Sequence, residues 1–537
     1  MKKILVILLT LILCFPLISV GAFADIQGDF RYTIENGQAT ITDYYDSYGE
    51  LVIPDTLGGA PVTAIGDKAF MNCDMITSVV IPNGVTTIGR DAFSSCFNLA
   101  SVTIPESVTT IGGDAFYHCK SLGSVTIPNG VTIIEEDTFA MCFNLTSVNL
   151  PNSVTTIGDR AFNQCDSLVS LQIPESVTTI GDFAFSLCSN LVSVNLPKGV
   201  TTIEHGTFFG CGFSSFIIPD TITVIGEDAF NMCSKLVSIT IPESVTTIEG
   251  EAFSKCEKLV SVTIPAGVTQ IGKNAFHECA SLTEIVVAKE NSFYKGVDGV
   301  LLTKAGECLL KYPPQKSETE YSVPNEVTVI EEFAFFGCDR LVSVKFPSKI
   351  TTIAGHAFRE CDHLVSVEFP KGLVTIGESA FSYCHSLASV TIPDSVITIG
   401  GAAFYDCTRL TAVTVPQSVT TIGNRAFGYY YDQKAYGTKV MGELSLYGNM
   451  VSATHLYAKE NGFVFRPVDL AVGDVDIDAA INATDALEVL KASVDKTTLI
   501  EEQKVAADVN KDGQINAKDA LEILKYAVGK PSVLGKK

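Results

Sequence analysis

The sequence predicts an α/β repeat solenoid, with a parallel strand ladder and short helical turns, followed by a small α-helical domain. Cysteine, phenylalanine and proline recur every 23 residues over most of the chain. The period then stops, and a duplicated acidic segment follows, each copy running into a helix-like apolar pattern. Apolar residues make up 46% of the 537 positions, which excludes a disordered chain.

The first 24 residues have the pattern of a secretory signal peptide. A basic start precedes an apolar run, and Ala22 and Ala24 supply the small residues of a cleavage site. A membrane anchor is the alternative, against which Pro16 and the cleavable end argue. We expect cleavage after Ala24 and no transmembrane segment afterwards, because no other run reaches the ~18 apolar residues that a span needs.

Charge and motif content exclude several kinds of function. The chain has 37 Lys and Arg against 60 Asp and Glu, a formal net charge of −23. Like-charge repulsion therefore opposes binding to nucleic acid or to an anionic membrane surface. We found no G-x-S-x-G, Walker or H-E-x-x-H motif, and the chain has only seven His and no Trp. We predict that the chain is not an enzyme.

The unit at 105–127 shows what each repeat should form. Val125 and Ile127 alternate with polar residues, so they should face inward from a strand. The β-branched run at 108–111 predicts a second short extended segment. The spacing of Phe116 from its neighbouring Ala and Cys is that of a short helical turn. One unit buries too little apolar surface to offset its backbone entropy, so the units must stack.

Fourteen of the sixteen cysteines occupy one repeat position, three residues after a phenylalanine. They are Cys73, Cys96, Cys119, Cys142, Cys165, Cys188, Cys211, Cys233, Cys256, Cys279, Cys338, Cys361, Cys384 and Cys407. Strand spacing alone would permit disulfides between neighbours. In-register side chains point the same way, however, so we expect a ladder of buried free thiols and no zinc site.

The repeat resembles the BspA-like (Treponema pallidum-type) leucine-rich repeat family of bacterial surface and secreted proteins. The resemblance rests on I-P-x-x-V-T-x-I-G-x-x-A-F-x-x-C-x-x-L-x-S-V, present in about fifteen copies between residues 50 and 430. It implies adhesion or protein binding. No binding residue carries over, because the recurring positions form the core.

Interruptions of the period set the predicted domain boundaries. They give a signal peptide at 1–24, an N-terminal β cap with an Asn36-Gly37 turn at 25–50, repeats one to ten at 51–287, an inserted β-hairpin at 288–323, repeats eleven to fifteen at 324–430, a C-terminal cap at 431–467 and the C-terminal domain at 468–531.

Two acidic loops in the C-terminal domain have the spacing of calcium ligands, with oxygen-bearing side chains at loop positions 1, 3, 5, 9 and 12. The first loop offers Asp474, Asp476, Asp478, Asn482 and Asp485, and the second offers Asp508, Asn510, Asp512, Asn516 and Asp519. The backbone carbonyls of Ala480 and Gln514 would serve at position 7. A solvated acidic loop is the alternative, but two copies 34 residues apart favour two bound calcium ions.

The duplicated loop-helix unit, with its D-A-L-E-[VI]-L-K continuation, resembles a type I dockerin of cellulosome-forming bacteria. The resemblance implies docking onto a cohesin module of a scaffoldin. It assigns cohesin recognition to loop positions 10 and 11 and to the following helix face. Those residues are Ala483, Thr484, Leu487 and Lys491 in one copy and Ala517, Lys518, Leu521 and Lys525 in the other.

Three points about this resemblance stay open. Ala479 replaces the Gly expected at loop position 6, so the first loop should bind calcium more weakly than the second. Thr484 and Lys518 differ, so we do not expect two equivalent docking faces. Leu487 and Leu521 could instead form the internal core of the helix pair.

These observations favour a secreted, noncatalytic binding or adhesion subunit, monomeric within a larger assembly. Its dockerin would attach it to a scaffoldin, in a cell-surface-associated cellulosome-type complex. Its strand face, with short polar side chains and no aromatics, suits a protein or cell-surface ligand better than a sugar. The alternative is an accessory subunit of polysaccharide catabolism that binds plant glycan and targets the complex to substrate. A spacer with no ligand is a third option.

Overall fold

The computed structural model describes residues 24–45, 49–468, 470–478 and 480–535. They form two compact units. The first contains the described residues up to Leu236 together with Ser244–Phe253, and the second contains Val237–Glu243 together with the residues from Ser254 onward. The expected signal peptide, apart from Ala24, and the Ala479 substitution lie outside the described residues. Within the described part of the chain, no helix has the length and apolar content that a bilayer span requires.

The first unit begins with three antiparallel strands, Asp25–Gln27, Phe30–Glu35 and Gln38–Tyr44. Asn36 and Gly37 make the turn between the second and third strands, at φ values of 54° and 76°. Both angles are left-handed, as a two-residue hairpin turn requires. The third strand then pairs in parallel with Ala60–Ile65, so the cap joins the repeats directly.

Two sets of short parallel strands run through the repeats of the first unit. The Ser ladder consists of Gly49–Val52, Ile76–Val80, Ser101–Thr103, Ser124–Thr126, Ser147–Asn149, Ser170–Leu171, Ser193–Val194 and Ser215–Ile217. The Thr-Ile ladder consists of Ala60–Ile65, Thr87–Ile88, Thr110–Ile111, Ile133–Ile134, Thr156–Ile157, Thr179–Ile180, Thr202–Ile203, Val224–Ile225 and Thr247–Ile248, and Thr56–Leu57 pairs antiparallel with its first strand. Equivalent residues pair, as in Ser124 with Ser147, so the register follows the 23-residue period.

Tight turns, not α-helices, connect the two ladders of each repeat. In the unit at 105–127, Asp114 and His118 have φ values of 58° and 60°. A left-handed residue at every fourth position interrupts a right-handed helix. Its amide instead reaches the next repeat, since Asp114 N donates to Glu136 O at 3.0 Å and His118 N to Ala140 O at 2.7 Å. The segments where the spacing predicted short helical turns are therefore tight turns. Their backbone amides form a third set of hydrogen bonds between neighbouring repeats.

The core between these elements is a stack of identical side chains. Phe162 lies parallel to Phe139 and to Phe185, with ring centroids 5.6 Å away on each side. All fourteen ladder cysteines are buried and free. The Cys142 thiol donates to Phe116 O at 3.3 Å, and burial raises its pKa to about 12. The same thiol-to-carbonyl bond joins Cys96, Cys119 and Cys165 to the preceding repeat.

The second unit continues the same pattern. Its Ser ladder contains Ser238–Thr240, Ser261–Ile264, Glu284–Val287, Glu320–Ser322, Ser343–Lys345, Ser366–Glu368, Ser389–Thr391, Ala412–Thr414, Ser445–Gly448 and Val464–Pro467. Its Thr-Ile ladder contains Gln270–Ile271, Val329–Ile330, Thr352–Ile353, Thr375–Ile376, Thr398–Ile399 and Thr421–Ile422.

The insertion at 288–323 is a three-stranded meander built into the Thr-Ile ladder, where the sequence predicted a projecting hairpin. Its strands are Tyr294–Val297, Val300–Thr303 and Cys308–Lys311, and the third pairs in parallel with Val329–Ile330. Leu301, Leu302 and Leu309 are buried. Removing these apolar side chains from water favours packing of the strands against the core over a projecting hairpin.

The C-terminal cap closes the phenylalanine stack. It contains the hairpin Tyr429–Asp432 and Gly437–Val440 and helix α1, Ala453–Asn461. The Tyr457 hydroxyl of α1 accepts from Phe427 N at 3.0 Å and donates to Phe427 O at 2.9 Å. It thereby satisfies the backbone of the last phenylalanine of the stack.

Candidate metal loops and docking face

The C-terminal domain contains helices α2, Ala483–Ser493, α3, Glu501–Ala507, and α4, Ala517–Ala527. Helices α2 and α4 begin with the same capping box. In α2 the Asn482 side chain accepts from Thr484 N at 2.8 Å, and Asn482 N donates to Asp485 Oδ2 at 2.8 Å. Loop positions 9 and 12 are therefore also the N-cap and third residue of the helix.

The second copy repeats this cap. The Asn516 side chain accepts from Lys518 N at 2.9 Å, and Asn516 N donates to Asp519 Oδ2 at 3.1 Å. Asp485 and Asp519 are both fully buried. Any change in the loop geometry around these two carboxylates is thus transmitted to the first turn of a helix.

The first loop folds around the Asp485 carboxylate. Its Oδ1 accepts from Val475 N at 2.6 Å and from Asp476 N at 3.0 Å. Asp474 Oδ1 accepts from Asp478 N at 3.2 Å, which closes the loop on itself. One ligand oxygen each from Asp474, Asp476 and Asp478 lie within 4.8 Å of one another. The predicted ligands at positions 1, 3 and 5 therefore converge on one point.

The electrostatics of this cluster favour a cation. Burial, with the neighbouring carboxylates of Asp485 and Asp478, raises the pKa of Asp476 to about 7. Its Oδ1 is buried and has no hydrogen-bond partner among the described residues. An all-oxygen donor set of this kind suits a hard divalent ion such as calcium, which would bind the orphaned oxygen and relieve the repulsion. The residues of the first loop fit that ion.

The second loop has the same fold with one carboxylate fewer, because Asn510 stands where the first loop has Asp476. Asp508 accepts from Asp512 N at 3.0 Å and from Gly513 N at 2.9 Å. Asn510 N donates to Asp519 Oδ1 at 3.2 Å. Gly513, at position 6, has a φ of 79°, the left-handed conformation that glycine adopts without strain.

At position 7 the two loops share one contact, because Ala480 N donates to Asp478 Oδ1 at 2.8 Å just as Gln514 N donates to Asp512 Oδ1. The Ala480 carbonyl accepts from Asn482 Nδ2 at 3.2 Å, so that oxygen already has one partner. In the second loop, Gln514 N donates to Asp512 Oδ1 at 2.9 Å, and this bond holds the backbone at position 7 against the carboxylate at position 5.

The helix residues divide into a buried and an exposed set. Ala486, Val489, Ala520 and Ile523 are buried in the core of the C-terminal domain. Leu487 and Leu521 are instead 49% and 52% exposed. They lie on the surface, so the domain core does not explain these two leucines.

The exposed set forms two patches at corresponding positions of the two helices. The docking faces are defined here as Ala483, Thr484, Leu487, Leu490 and Lys491 on α2 and Ala517, Lys518, Leu521, Leu524 and Lys525 on α4. The lysines are held against the helices, because Lys491 contacts Glu488 and Lys525 contacts Glu522, each at 2.6 Å.

Sequence reasoning missed the extension of each docking face past its helix. Val494 and Val528 are exposed. Each lies seven residues after the first leucine of its docking face, Leu487 or Leu521. That spacing, two helical turns, was the available signal.

Sequence reasoning also missed a valine column on the repeats. It precedes the exposed serine column, which contains Ser101, Ser124, Ser147, Ser170 and Ser193. The exposed valines are Val169 and Val192 in the first unit and Val237, Val260, Val342 and Val365 in the second. Each follows a buried leucine of the same repeat.

Comparisons with known proteins agree with this arrangement. The model of the BspA type leucine-rich repeat region matches residues 63–191, 155–283 and 315–433. The model of the dockerin type I domain matches residues 472–526, which contain both loops and both docking faces. No curated protein matches the chain.

Solved structures of bacterial repeat proteins are also similar. A leucine rich cell surface protein from Faecalibacterium prausnitzii A2-165 is 30% identical, over 78% of this chain and 97% of that one, with a TM-score of 0.44. A leucine-rich repeat protein from Bacteroides ovatus ATCC 8483 is 26% identical, over 83% of this chain and 100% of that one, with a TM-score of 0.48. The pneumococcal vaccine antigen PcpA is 18% identical, over 84% and 99% respectively, with a TM-score of 0.46.

Proposed function

The chain belongs to the BspA-type leucine-rich repeat family and carries a type I dockerin domain, and from this premise we propose that it is a secreted, noncatalytic binding subunit of a cellulosome-type assembly. Type I dockerins dock onto cohesins and generally bind calcium, and leucine-rich repeats serve in binding. Both matched modules are noncatalytic. Dockerin-bearing proteins are typically extracellular, which agrees with the signal peptide expected at 1–24.

The observation that carries the docking proposal is the pair of exposed leucine patches beside the two capping boxes. Leu487 and Leu521 are about half exposed, although each lies between buried residues of the same helix. Each has a second exposed leucine three residues later, and adjoining exposed apolar side chains rimmed by polar residues are typical of a protein interface. We assign cohesin recognition to the two docking faces, with one face used at a time.

Calcium controls docking in this proposal, with one ion per loop. Asp485 and Asp519 would each be a calcium ligand and also cap the helix that carries a docking face. Removing the ion leaves repelling carboxylates beside that cap, which loosens the first helical turn. The proposal therefore predicts that cohesin binding requires calcium.

The repeats hold the second partner, a protein or cell-surface ligand. The valine and serine columns give a strand face of mixed apolar and small polar groups, which suits a protein surface. A plant glycan is the alternative ligand and would make the chain a targeting subunit of polysaccharide degradation. The outward positions of the Ser-ladder strands between Ser101 and Thr414 carry no aromatic side chain, which argues against a glycan because aromatic rings are the usual stacking surface for sugars.

Calorimetry of the full chain against a panel of cohesins tests the proposal, with and without a calcium chelator. We expect one cohesin per chain, and no binding after chelation. Asp495→Asn, outside the loops, is the matched control for ligand substitutions such as Asp512→Asn. Calcium binding without any cohesin partner would refute the docking proposal, and a glycan array beside a protein pull-down would separate the two ligand classes.

A further inference from the structure

The meander interrupts the repeats of the second unit and leaves two adjoining cavities of about 270 Å³ and about 560 Å³, both lined by His277 and Phe333. Their origin is a shortened pseudo-repeat. Tyr312 takes the place of the ladder phenylalanine, stacking on Phe335 at 5.0 Å and donating from its N to Ala334 O at 2.8 Å. Leu309 pairs with Ile330 of the next repeat. Two residues, Leu310 and Lys311, lie between Leu309 and Tyr312, whereas four lie between Ile330 and Phe335, so this turn is two residues shorter.

Lys311 therefore occupies the position that alanine holds in ordinary repeats, next to the core. It lines the smaller cavity and is only 5% exposed. Its Nζ donates to Phe333 O at 3.1 Å, and it forms no ion pair with any described residue. A buried ammonium with two remaining donors and no ion-pair partner is costly unless an anion reaches it.

Two backbone amides without acceptors in the described part of the chain also lie beside these cavities. Asn274 and Glu278 are the left-handed residues of repeat ten, equivalent to Asp114 and His118, whose amides donate to the next repeat. Among the described residues of the second unit, neither Asn274 N nor Glu278 N has an acceptor. The shortened pseudo-repeat has removed the carbonyls that they would meet. Asn274 lines the smaller cavity together with Lys311.

The rest of the smaller cavity limits the charge and shape of a ligand. Ile271, Leu301, Leu310 and Phe333 give it apolar walls. Two carboxylates, Glu331 and Glu332, line it together with a second lysine, Lys273, so each added negative charge on a ligand would also meet repulsion.

We propose that the cavity beside Lys311 binds a small monocarboxylic acid, with the carboxylate on the Lys311 ammonium and the Asn274 amide and an apolar body against Leu301 and Phe333. This binding is separate from cohesin docking and uses residues of repeats ten and eleven and of the meander. A volume of about 270 Å³ suits a small acid of about six to ten carbons.

The test is calorimetric titration of the full chain with hexanoate and with 3-phenylpropionate, which distinguish an aliphatic from an aromatic acid. Hexanamide, 3-phenylpropanamide and inorganic phosphate are the uncharged and multiply charged comparisons. We expect saturable binding of one carboxylate per chain, with the matching amide and phosphate at least about tenfold weaker. Equal affinity for an acid and its amide, phosphate binding as tight as either acid, or no saturable binding of either acid, would overturn the proposal.

Two variants localise the binding. Lys311→Met keeps the side-chain length and should weaken acid binding at least about tenfold, whereas Lys258→Met, an exposed lysine that lines neither cavity, should leave it unchanged. Leu310→Phe fills the apolar part with Lys311 intact and should also weaken binding, which keeps the proposal testable if Lys311→Met does not fold. Unchanged acid affinity in a folded Lys311→Met or Leu310→Phe chain would place the binding elsewhere and refute the site.

Discussion

Replacing the exposed leucines of one docking face at a time decides whether the two faces are equivalent. Leu487 and Leu490 are 49% and 39% exposed, and Leu521 and Leu524 are 52% and 36% exposed. Each face thus presents nearly one whole leucine side chain to a partner. Burying that much apolar surface contributes about 1.5–3 kcal/mol, which corresponds to a change in Kd of about tenfold to about a hundredfold.

The difference between Thr484 and Lys518 makes us expect unequal faces. One alanine pair, either L487A/L490A or L521A/L524A, should then weaken cohesin binding by about tenfold or more. The other pair should change it by less than about twofold, and all four substitutions together should abolish binding. Because these leucines are exposed, the substitutions should leave calcium-dependent folding unchanged, and circular dichroism provides that control.

Calorimetry against the cognate cohesin is the assay. Equivalent faces would give a different result, because losing one of two equal binding modes halves the association constant. Each pair alone would then weaken binding by about twofold, while the quadruple variant would lose it entirely. That outcome would refute the expected inequality, and a quadruple variant that binds normally would refute the assignment of the docking faces.

Three further predictions concern calcium, pH and the buried lysine. Asp512→Asn should weaken the tighter of two calcium-binding events by at least about tenfold in calorimetry, and Asp495→Asn should not; loss of the weaker event instead would reverse the predicted order of the loops. Burial raises the thiol pKa values of Cys142 and Cys188 to about 12, so above about pH 8.5 the unfolded chain releases protons that the folded chain retains. Each such thiol should lower the free energy of unfolding by about 1.4 kcal/mol per pH unit up to its folded pKa, and denaturant midpoints from pH 8 to 11 should fall less steeply in C142A/C188A; an unchanged slope would contradict this cause. Lys311→Met removes a buried ammonium that has no ion-pair partner among the described residues, so it should raise the free energy of unfolding by about 1–4 kcal/mol relative to Lys258→Met; a lower thermal midpoint would show that the ammonium is already compensated.

The periodicity of the chain explains why most of the fold could be predicted. Parallel strands in register require the same residue type at the same position of each repeat, and Ser124 pairs with Ser147 for that reason. The geometry of the two acidic loops was equally accessible, because the spacing of their oxygen-bearing side chains is a local property of the backbone. Asp474, Asp476 and Asp478 converge as their alternate spacing predicts.

The turns and the insertion were harder to predict because non-local contacts define them. The spacing around Phe116 fits a helical turn, but the left-handed Asp114 and His118 direct their amides to the next repeat. The meander is drawn into the ladder by the burial of Leu301, Leu302 and Leu309, which alternation alone cannot distinguish from a projecting hairpin.

The sequence by itself determined the repeat register, the thiol ladder and the ligand spacing of the two loops, because each depends on residue identity at a fixed separation. Tertiary structure alone decided that Leu487 and Leu521 are exposed while Val489 and Ile523 are buried, since the packing of α2 against α4 selects which side of each helix is covered. It also decided that Lys311 lies beside a cavity, because that position depends on how a shortened pseudo-repeat meets its neighbours in space.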